Sequence, residues 1–158
     1  MVQGCDMITN LNTLPAVPAC EGVRIKRAFP GDKETILAFV RERFSRGWVG
    51  ECEHALMQST PKCLIATKGG KVLGFACYDA SALGFFGPIG VAEEARGQGI
   101  GAALLVQTLH VMRAQGYGYA IIGWVNDAEM FYRKTVGATF IEGGTPEKSV
   151  YSNLVISD

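Results

Sequence analysis

The run Arg96-Gly97-Gln98-Gly99-Ile100-Gly101-Ala102 stands between two apolar stretches, Leu83 to Val91 and Ile100 to Met112. The second stretch has helical spacing: Ile100, Leu104, Leu105, Leu109 and Met112 share a face, with Gln107, His110, Arg113 and Gln115 largely elsewhere. Gly116 follows as a C-cap, and Arg113 sits in the last turn. The pattern predicts a strand, a glycine-rich turn, and a helix that begins inside the turn. The first four N–H groups of a helix have no partner within it. Glycines let a bulky anion approach them because no Cβ intervenes, and the helix dipole adds attraction. The stretch therefore predicts a pyrophosphate cradle.

Three glycine-rich patterns compete for it. A nucleotide P-loop needs Gly, four residues, then Gly-Lys-Ser/Thr, and the chain has no such run. A dinucleotide turn, G-x-G-x-x-G/A, is met loosely by Gly97, Gly99 and Ala102. However, Ala92 to Arg96 intervene after the strand, and no acid stands about twenty residues further on. The third pattern, Arg/Gln-x-x-Gly-x-Gly/Ala, fits Arg96, Gly99 and Gly101 without adjustment. On these residues the segment resembles the acetyl-CoA-binding signature of the GCN5-related N-acetyltransferase (GNAT) superfamily. The resemblance runs from about Gly22 to the end and is specific between Leu83 and Ala138. One departure is Glu93, where these proteins often carry proline two residues after the strand-ending valine.

The resemblance implies an α+β architecture, a mixed α/β sandwich of the acyl-CoA N-acyltransferase fold. Its central mixed sheet holds a splayed parallel strand pair flanked by helices. Acetyl-CoA is the implied co-substrate, contacted by Ile89, Val91, Arg96, Gly97, Gln98, Gly99, Ile100, Gly101, Ala102 and Asn126. The implied activity is N-acetyl transfer to a primary amine of a small molecule or peptide, in a ternary complex.

The chain has 158 residues, 48% hydrophobic and 19% charged, enough for one domain with a real core. Fifteen basic residues balance fifteen acidic ones, which argues against a nucleic-acid surface as the main function. No apolar run approaches a membrane span, and no secretion signal is visible. Five cysteines without a C-x-x-C pair read as reduced thiols in a cytoplasmic protein, and no His/Cys cluster has metal-ligand spacing. Homodimerisation is left open.

Taken in order, residues 1–21 carry Pro15 and Pro18 and read as a tail or extra edge segment, with residues 22–158 as the GNAT-like domain. Gly22 to Ala28 alternates as a half-buried strand, and a helix follows with Ile36, Leu37, Val40 and Phe44 as its stripe. Ser45 to Gly50 reads as a loop carrying Trp48, and Glu51 to Ser59 as a second helix. Cys63–Thr67 and Val72–Tyr78 form a hairpin about Gly69-Gly70. Gly84, Gly87, Pro88 and Gly90 make Leu83–Val91 an odd buried strand. They predict that pairing to one neighbour stops, leaving a slot that an amide-bearing ligand arm fills like an added strand. Tyr117–Val125 lies parallel to that strand, across a right-handed crossover. Asn126 is expected to cap a helix running to Val136, and Thr139–Ile141 to pair with Ser149–Ile156.

The helix after the parallel strand aims at the cradle's opening. Ala128, Phe131 and Thr135 share a stripe, which assigns Phe131 to the core and Tyr132 to the opening. A tyrosine hydroxyl is close in acidity to an alkyl thiol, so Tyr132 suits protonation of a thiolate leaving group. The resemblance gives it that same general-acid role. The central strand carries no carboxylate for a general base. Asp79, Glu51, Glu53, His54 and a water chain are the alternatives, and His110 is set aside. Trp48 and Trp124, with Asp79 and nearby acids, suit a small cationic amine. The competing readings are a non-catalytic acyl-CoA-binding or regulatory domain and, more remotely, a nucleotide-binding oxidoreductase.

Overall fold

The computed structural model describes residues 5–155. Strand β1 (Met7–Asn10) is followed by β2 (Arg24–Arg27) and helices α1 (Lys33–Arg43) and α2 (Arg46–Leu56). Strands β3 (Cys63–Lys68), β4 (Lys71–Tyr78) and β5 (Phe85–Val91) come next. Helix α3 (Ile100–Ala114), strand β6 (Tyr119–Ile122), helix α4 (Glu129–Val136) and strand β7 (Thr139–Phe140) complete the order. The strands form one sheet, β2-β3-β4-β5-β6-β1-β7. Each pairing among the described residues is antiparallel except β5 with β6. This is the mixed α/β architecture that the resemblance implies, with its parallel pair at the centre. No helix among these residues is long and apolar enough to cross a membrane.

Helix α3 is the crossover between the parallel strands. Ile100, Ala103, Leu104, Leu105, Val106, Leu109 and Met112 are all buried, a wider apolar sector than one stripe. The cause is cover on two sides. The sheet takes one, and the segment joining β1 to β2 crosses the other. Pro15 C=O lies 2.8 Å from His110 Nε2, and the Cys20 thiol donates to Gln98 C=O at 3.2 Å. Burying each large aliphatic side chain contributes roughly 1.5–3 kcal/mol, so α3 is the main anchor of the core.

Four expectations need correction. The N-terminal segment is not a tail or an edge: β1 lies inside the sheet, paired to β6 on one side and β7 on the other. Met7 and Thr9 are its buried positions, and Thr9 Oγ1 donates to Val136 C=O at 2.9 Å, satisfying the end of α4. Trp48 sits in a helix, not a loop, because Ser45 caps α2 by accepting from Trp48 N–H. Asn126 does not cap α4, which starts at Glu129 behind Ala128 with no side-chain cap. Finally, β7 pairs with β1, and Val150–Asn153 is a 3₁₀ turn capped by Ser149 instead of a strand. Ile156 lies outside the described residues.

The β4–β5 connection is clamped by Asp79, whose side chain is 1% exposed. Lys62 Nζ approaches its Oδ2 at 2.8 Å, Gly84 N–H donates to Oδ1 at 2.7 Å, and the Tyr117 hydroxyl also donates. Burial pushes this carboxyl up, but the Lys62, Tyr117 and Gly84 bonds together outweigh it and hold it below the usual range. Its φ of +53° is a left-handed conformation that Asn shares. Asp79→Ala is expected to lose about 3 kcal/mol, as for a buried pair stripped of one partner, and Asp79→Asn distinctly less. Urea denaturation checks the order. Because the folded carboxyl is the stronger acid, the stabilisation is present at neutral pH and fades as pH falls through that lowered value.

Candidate active site

Pairing of β5 to β6 holds at Phe85–Ile121 and Phe86–Ile122, then stops. Gly87 and Pro88 follow, and Pro88 has no N–H to offer. On its other edge β5 stays paired to β4 through Ile89, Gly90 and Val91, and Ala92 N–H donates to Leu73 C=O at 2.8 Å. Antiparallel alternation then turns Gly90 and Ala92 toward β4 and leaves the peptide groups of Ile89 and Val91 facing the gap. Arg96 Nε reaches Val91 C=O from that side at 3.3 Å.

The gap opens into a cavity of about 1140 Å³. At one end is the start of α3. Gly97 (φ +79°) and Gly99 (φ +82°) are left-handed, and the space where a Cβ would stand is empty to 4 Å at both. No side chain caps this helix. The first bond of the helical ladder is Ala103 N–H to Gly99 C=O, so the N–H groups of Ile100, Gly101 and Ala102 precede it. These amides, the dipole and Arg96 suit a diphosphate, and the β5 edge beside them suits an amide-bearing arm.

Ile89, Val91, Arg96, Gly97, Gly99, Ile100, Gly101, Ala102, Asn126 and Tyr132 all line the cavity, as do Trp48 and Trp124. Gln98 and Asp79 do not: Gln98 C=O is engaged by Cys20, and Asp79 by its own clamp. Glu53, His54 and His110 lie off the cavity as well. On α4 the assignment of the two aromatics changes. Tyr132 is the more buried, at 7% exposure, with its ring edge-on to Phe86 at 6.4 Å, while Phe131 is half-buried. Both line the cavity. Burial pushes the Tyr132 hydroxyl well above the usual tyrosine range, so it stays protonated.

A hydroxyl–carboxylate chain reaches the cavity through Glu51 and Tyr151. Ser81 Oγ donates to Glu51 Oε2 at 2.8 Å and lies 2.7 Å from the Tyr151 hydroxyl. Burial pushes the Glu51 carboxyl up, partly offset by the Ser81 bond, and pushes Tyr151 up to about 12. Trp124 stands edge-on to Tyr151 at 5.2 Å. Its left-handed backbone (φ +51°) is held by donation of its N–H to Asp6 Oδ1 at 3.0 Å, and Ser149 donates to the same oxygen at 3.1 Å.

Residues 29–138 match the acetyltransferase (GNAT) family. The chain belongs to the GNAT family. No curated protein sequence matches it. Among solved structures, a GCN5-related glucosamine N-acetyltransferase region of a fungal multi-domain β-N-acetylglucosaminidase is 18% identical. It covers 87% of this chain and 20% of that one, at a TM-score of 0.70. A GCN5-related N-acetyltransferase of Sphaerobacter thermophilus is 23% identical, covering 89% and 50%, with a TM-score of 0.65. A GNAT family N-acetyltransferase of Escherichia coli, solved in complex with CoA, is 25% identical, covering 63% and 61%, at 0.51. The chain thus spans half or less of the first two relatives' lengths.

Sequence reading of this GNAT chain missed Asp6, Ser81 and Tyr151, which lie in segments without periodicity. It also missed that Cys52, Cys63 and Cys77 come together, their sulfurs within 4.8 Å of one another. They come from α2, β3 and β4, so spacing gave no signal. They are fully buried away from the cavity, where burial pushes the Cys77 thiol up, and they pack as small apolar groups. Phe44 lies across Gly90, where an added Cβ would stand 2.5 Å from the ring, and it stacks on Trp48 at 5.1 Å. Gly90→Ala is expected to cost about 1–3 kcal/mol by overpacking and to change Trp48 fluorescence. Denaturant melts followed by tryptophan emission check both.

Proposed function

We propose that this chain is an acetyl-CoA-dependent N-acetyltransferase that moves the acetyl group to a primary amine of a small molecule or peptide within a ternary complex. The observation that carries the reading is one cavity joining uncapped α3 amides to the free β5 edge. The diphosphate lies on Gly97, Gly99, Ile100, Gly101 and Ala102 with Arg96 beside it. The pantetheine arm runs along Ile89 and Val91, and Asn126 closes over it. The CoA bound in the Escherichia coli relative supports this arrangement.

In the reaction the amine nitrogen attacks the thioester carbonyl, a C–N bond forms, and the C–S bond breaks. The sulfur leaves as thiolate and takes the hydroxyl proton of Tyr132. The proton shed by the adduct nitrogen then restores the phenolate. A solvent-exposed tyrosine ionises at about 10, and burial holds Tyr132 above that, so it is a protonated donor when the thiolate forms. Backbone N–H groups of Ile89 or Val91 face the gap and supply the oxyanion donor.

The burial of Tyr132 and the absence of a carboxylate on β5 favour one alternative, an acyl-CoA-binding domain without turnover. Tyr132→Phe separates the two. It is expected to keep coenzyme A affinity by calorimetry and to lose about 10²-fold or more in turnover, the usual worth of a general acid. Undiminished coenzyme A release by this variant would remove Tyr132 from the mechanism.

A further inference from the structure

Three groups that carry formal charge line the cavity: Arg96, Asp127 and Glu51. Arg96 belongs to the cradle end, where it bonds to Val91 C=O. Asp127 is exposed at the approach to α4. Glu51 is the one tied into a network, through Ser81 to Tyr151. Trp48 stands one helical turn before it, on the same face of α2. Tyr151 is seated with unusual closeness: a Cβ added at Gly123 would lie 2.4 Å from its ring. Trp124 braces it from the side at 5.2 Å, and Asp6 fixes Trp124 and Ser149 together. Trp48, Trp124 and Tyr151 thus line the same cavity as this anchored carboxylate.

We infer that Glu51 receives the acceptor's ammonium group and takes its proton before attack, with Ser81 and Tyr151 as positioning residues, and that the acceptor is a primary amine on an apolar body without a carboxylate. The inference rests on the transferase reading above and supplies the base that β5 lacks.

The hydrogen-bond chain has a direction. An ionised carboxylate only accepts, so Ser81 spends its one proton on Glu51 and accepts from the Tyr151 hydroxyl. Tyr151 thus holds Ser81 in the orientation that favours charged Glu51. The ammonium's proton moves to the Glu51 carboxylate, leaving a neutral amine with its lone pair free to attack; the carboxylic acid then returns that proton to solvent. Among the described residues Arg96, bonded to Val91 C=O, is the one Lys, Arg or His lining the cavity, so a carboxylate carried beside the amine at Glu51 finds no cation of its own. The aromatic faces of Trp48, Trp124 and Tyr151 suit an apolar body and the cation it carries.

Titratable groups around Glu51 are few. Tyr151 faces it from the C-terminal segment, Tyr132 and Asp127 line the same cavity from α4 and its approach, and Arg96 lies at the cradle. On α2 itself His54 is engaged with Ala80 C=O. Both tyrosines ionise far above neutrality, so the acid limb of the pH profile reports a carboxylate, and the Glu51 and Ser81 variants separate Glu51 from Asp127.

The test compares phenylethylamine with phenylalanine, which differ by the carboxylate, and measures kcat/KM against pH together with coenzyme A binding. The wild type is expected to prefer phenylethylamine by about 10²-fold, the scale on which a site rejects a group that it leaves unpaired. Its activity falls on the acid side at a pH above the usual carboxylate value, because burial raises Glu51. Glu51→Gln should keep coenzyme A affinity, lose that limb, and drop kcat by about 10²-fold or more. Ser81→Ala removes a bond that favours the charged carboxylate, so the acid limb should move to higher pH, a shift that a purely structural role would not produce. If Glu51→Gln does not fold, Ser81→Ala carries the test alone. A wild type that ignores coenzyme A overturns the transferase reading and this inference with it. A wild type that binds it and turns over amines, while Glu51→Gln keeps the limb, Ser81→Ala leaves it unmoved, or phenylalanine is preferred, overturns this inference alone.

Discussion

The parallel pairing of β5 and β6 ends after Phe86, and the rest of the site depends on that ending. Buried peptide groups demand partners. A strand released from its neighbour must find another acceptor, close on itself, or face a cavity that a polar ligand can fill. Here β5 is irregular at Gly87 and Pro88 but resumes its pairing to β4 at Ile89, Gly90 and Val91, so that edge stays bonded while the other is free. The same register places the end of β5 beside the uncapped start of α3. Two sets of unspent amides, one along a strand and one at a helix terminus, thereby border a single volume.

Holding such an opening apart needs bracing from outside, and the fold supplies it with segments distant in sequence. Strand β1 fills the far side of β6, so β6 is locked in the sheet without closing on β5 beyond Phe86. Just before β1, Cys5 C=O accepts from Val125 N–H at 2.6 Å and Asp6 holds Trp124. The chain leaving β6 is thus turned away from β5 by the N-terminal segment. Across the gap, Phe44 lies over Gly90 and joins Phe39, Phe75 and Trp48 in one aromatic cluster that fixes the start of α2 against the sheet.

What was legible in the sequence is what local chemistry dictates. The cradle could be read because glycine at Gly97 and Gly99 answers a local need, positive φ, and because α3 announces itself by period. The splay could be read because Gly87, Pro88 and Gly90 contradict a doubly paired strand. Strand β1 could not be read: four residues carry too little alternation, and its identity as a strand comes wholly from β6 and β7. That Phe131 lines the cavity beside Tyr132, and is the less buried of the two, has a similar cause. Helix α4 begins two residues later than expected, and the wall it meets at Phe86 prefers the tyrosine ring. Ser81 and Tyr151 lie in loops, and only tertiary closure sets them 2.7 Å apart.

Burial then does two jobs in one cavity. It raises the carboxyl of Glu51 and the hydroxyl of Tyr132 alike, since in both it disfavours the anion. The chemical consequences differ because the groups start from different sides of neutrality. A carboxylate shifted upward becomes a stronger base. A phenol shifted upward remains protonated and keeps its proton until a comparably basic thiolate appears beside it. Between the two ionisations one group is an empty proton acceptor and the other a filled donor. That is the pair of states that the proposed acyl transfer to an amine, delivered as its ammonium, would use. The apolar wall contributed by Phe86 and Phe131 is therefore as much a part of the proposed chemistry as the groups it surrounds.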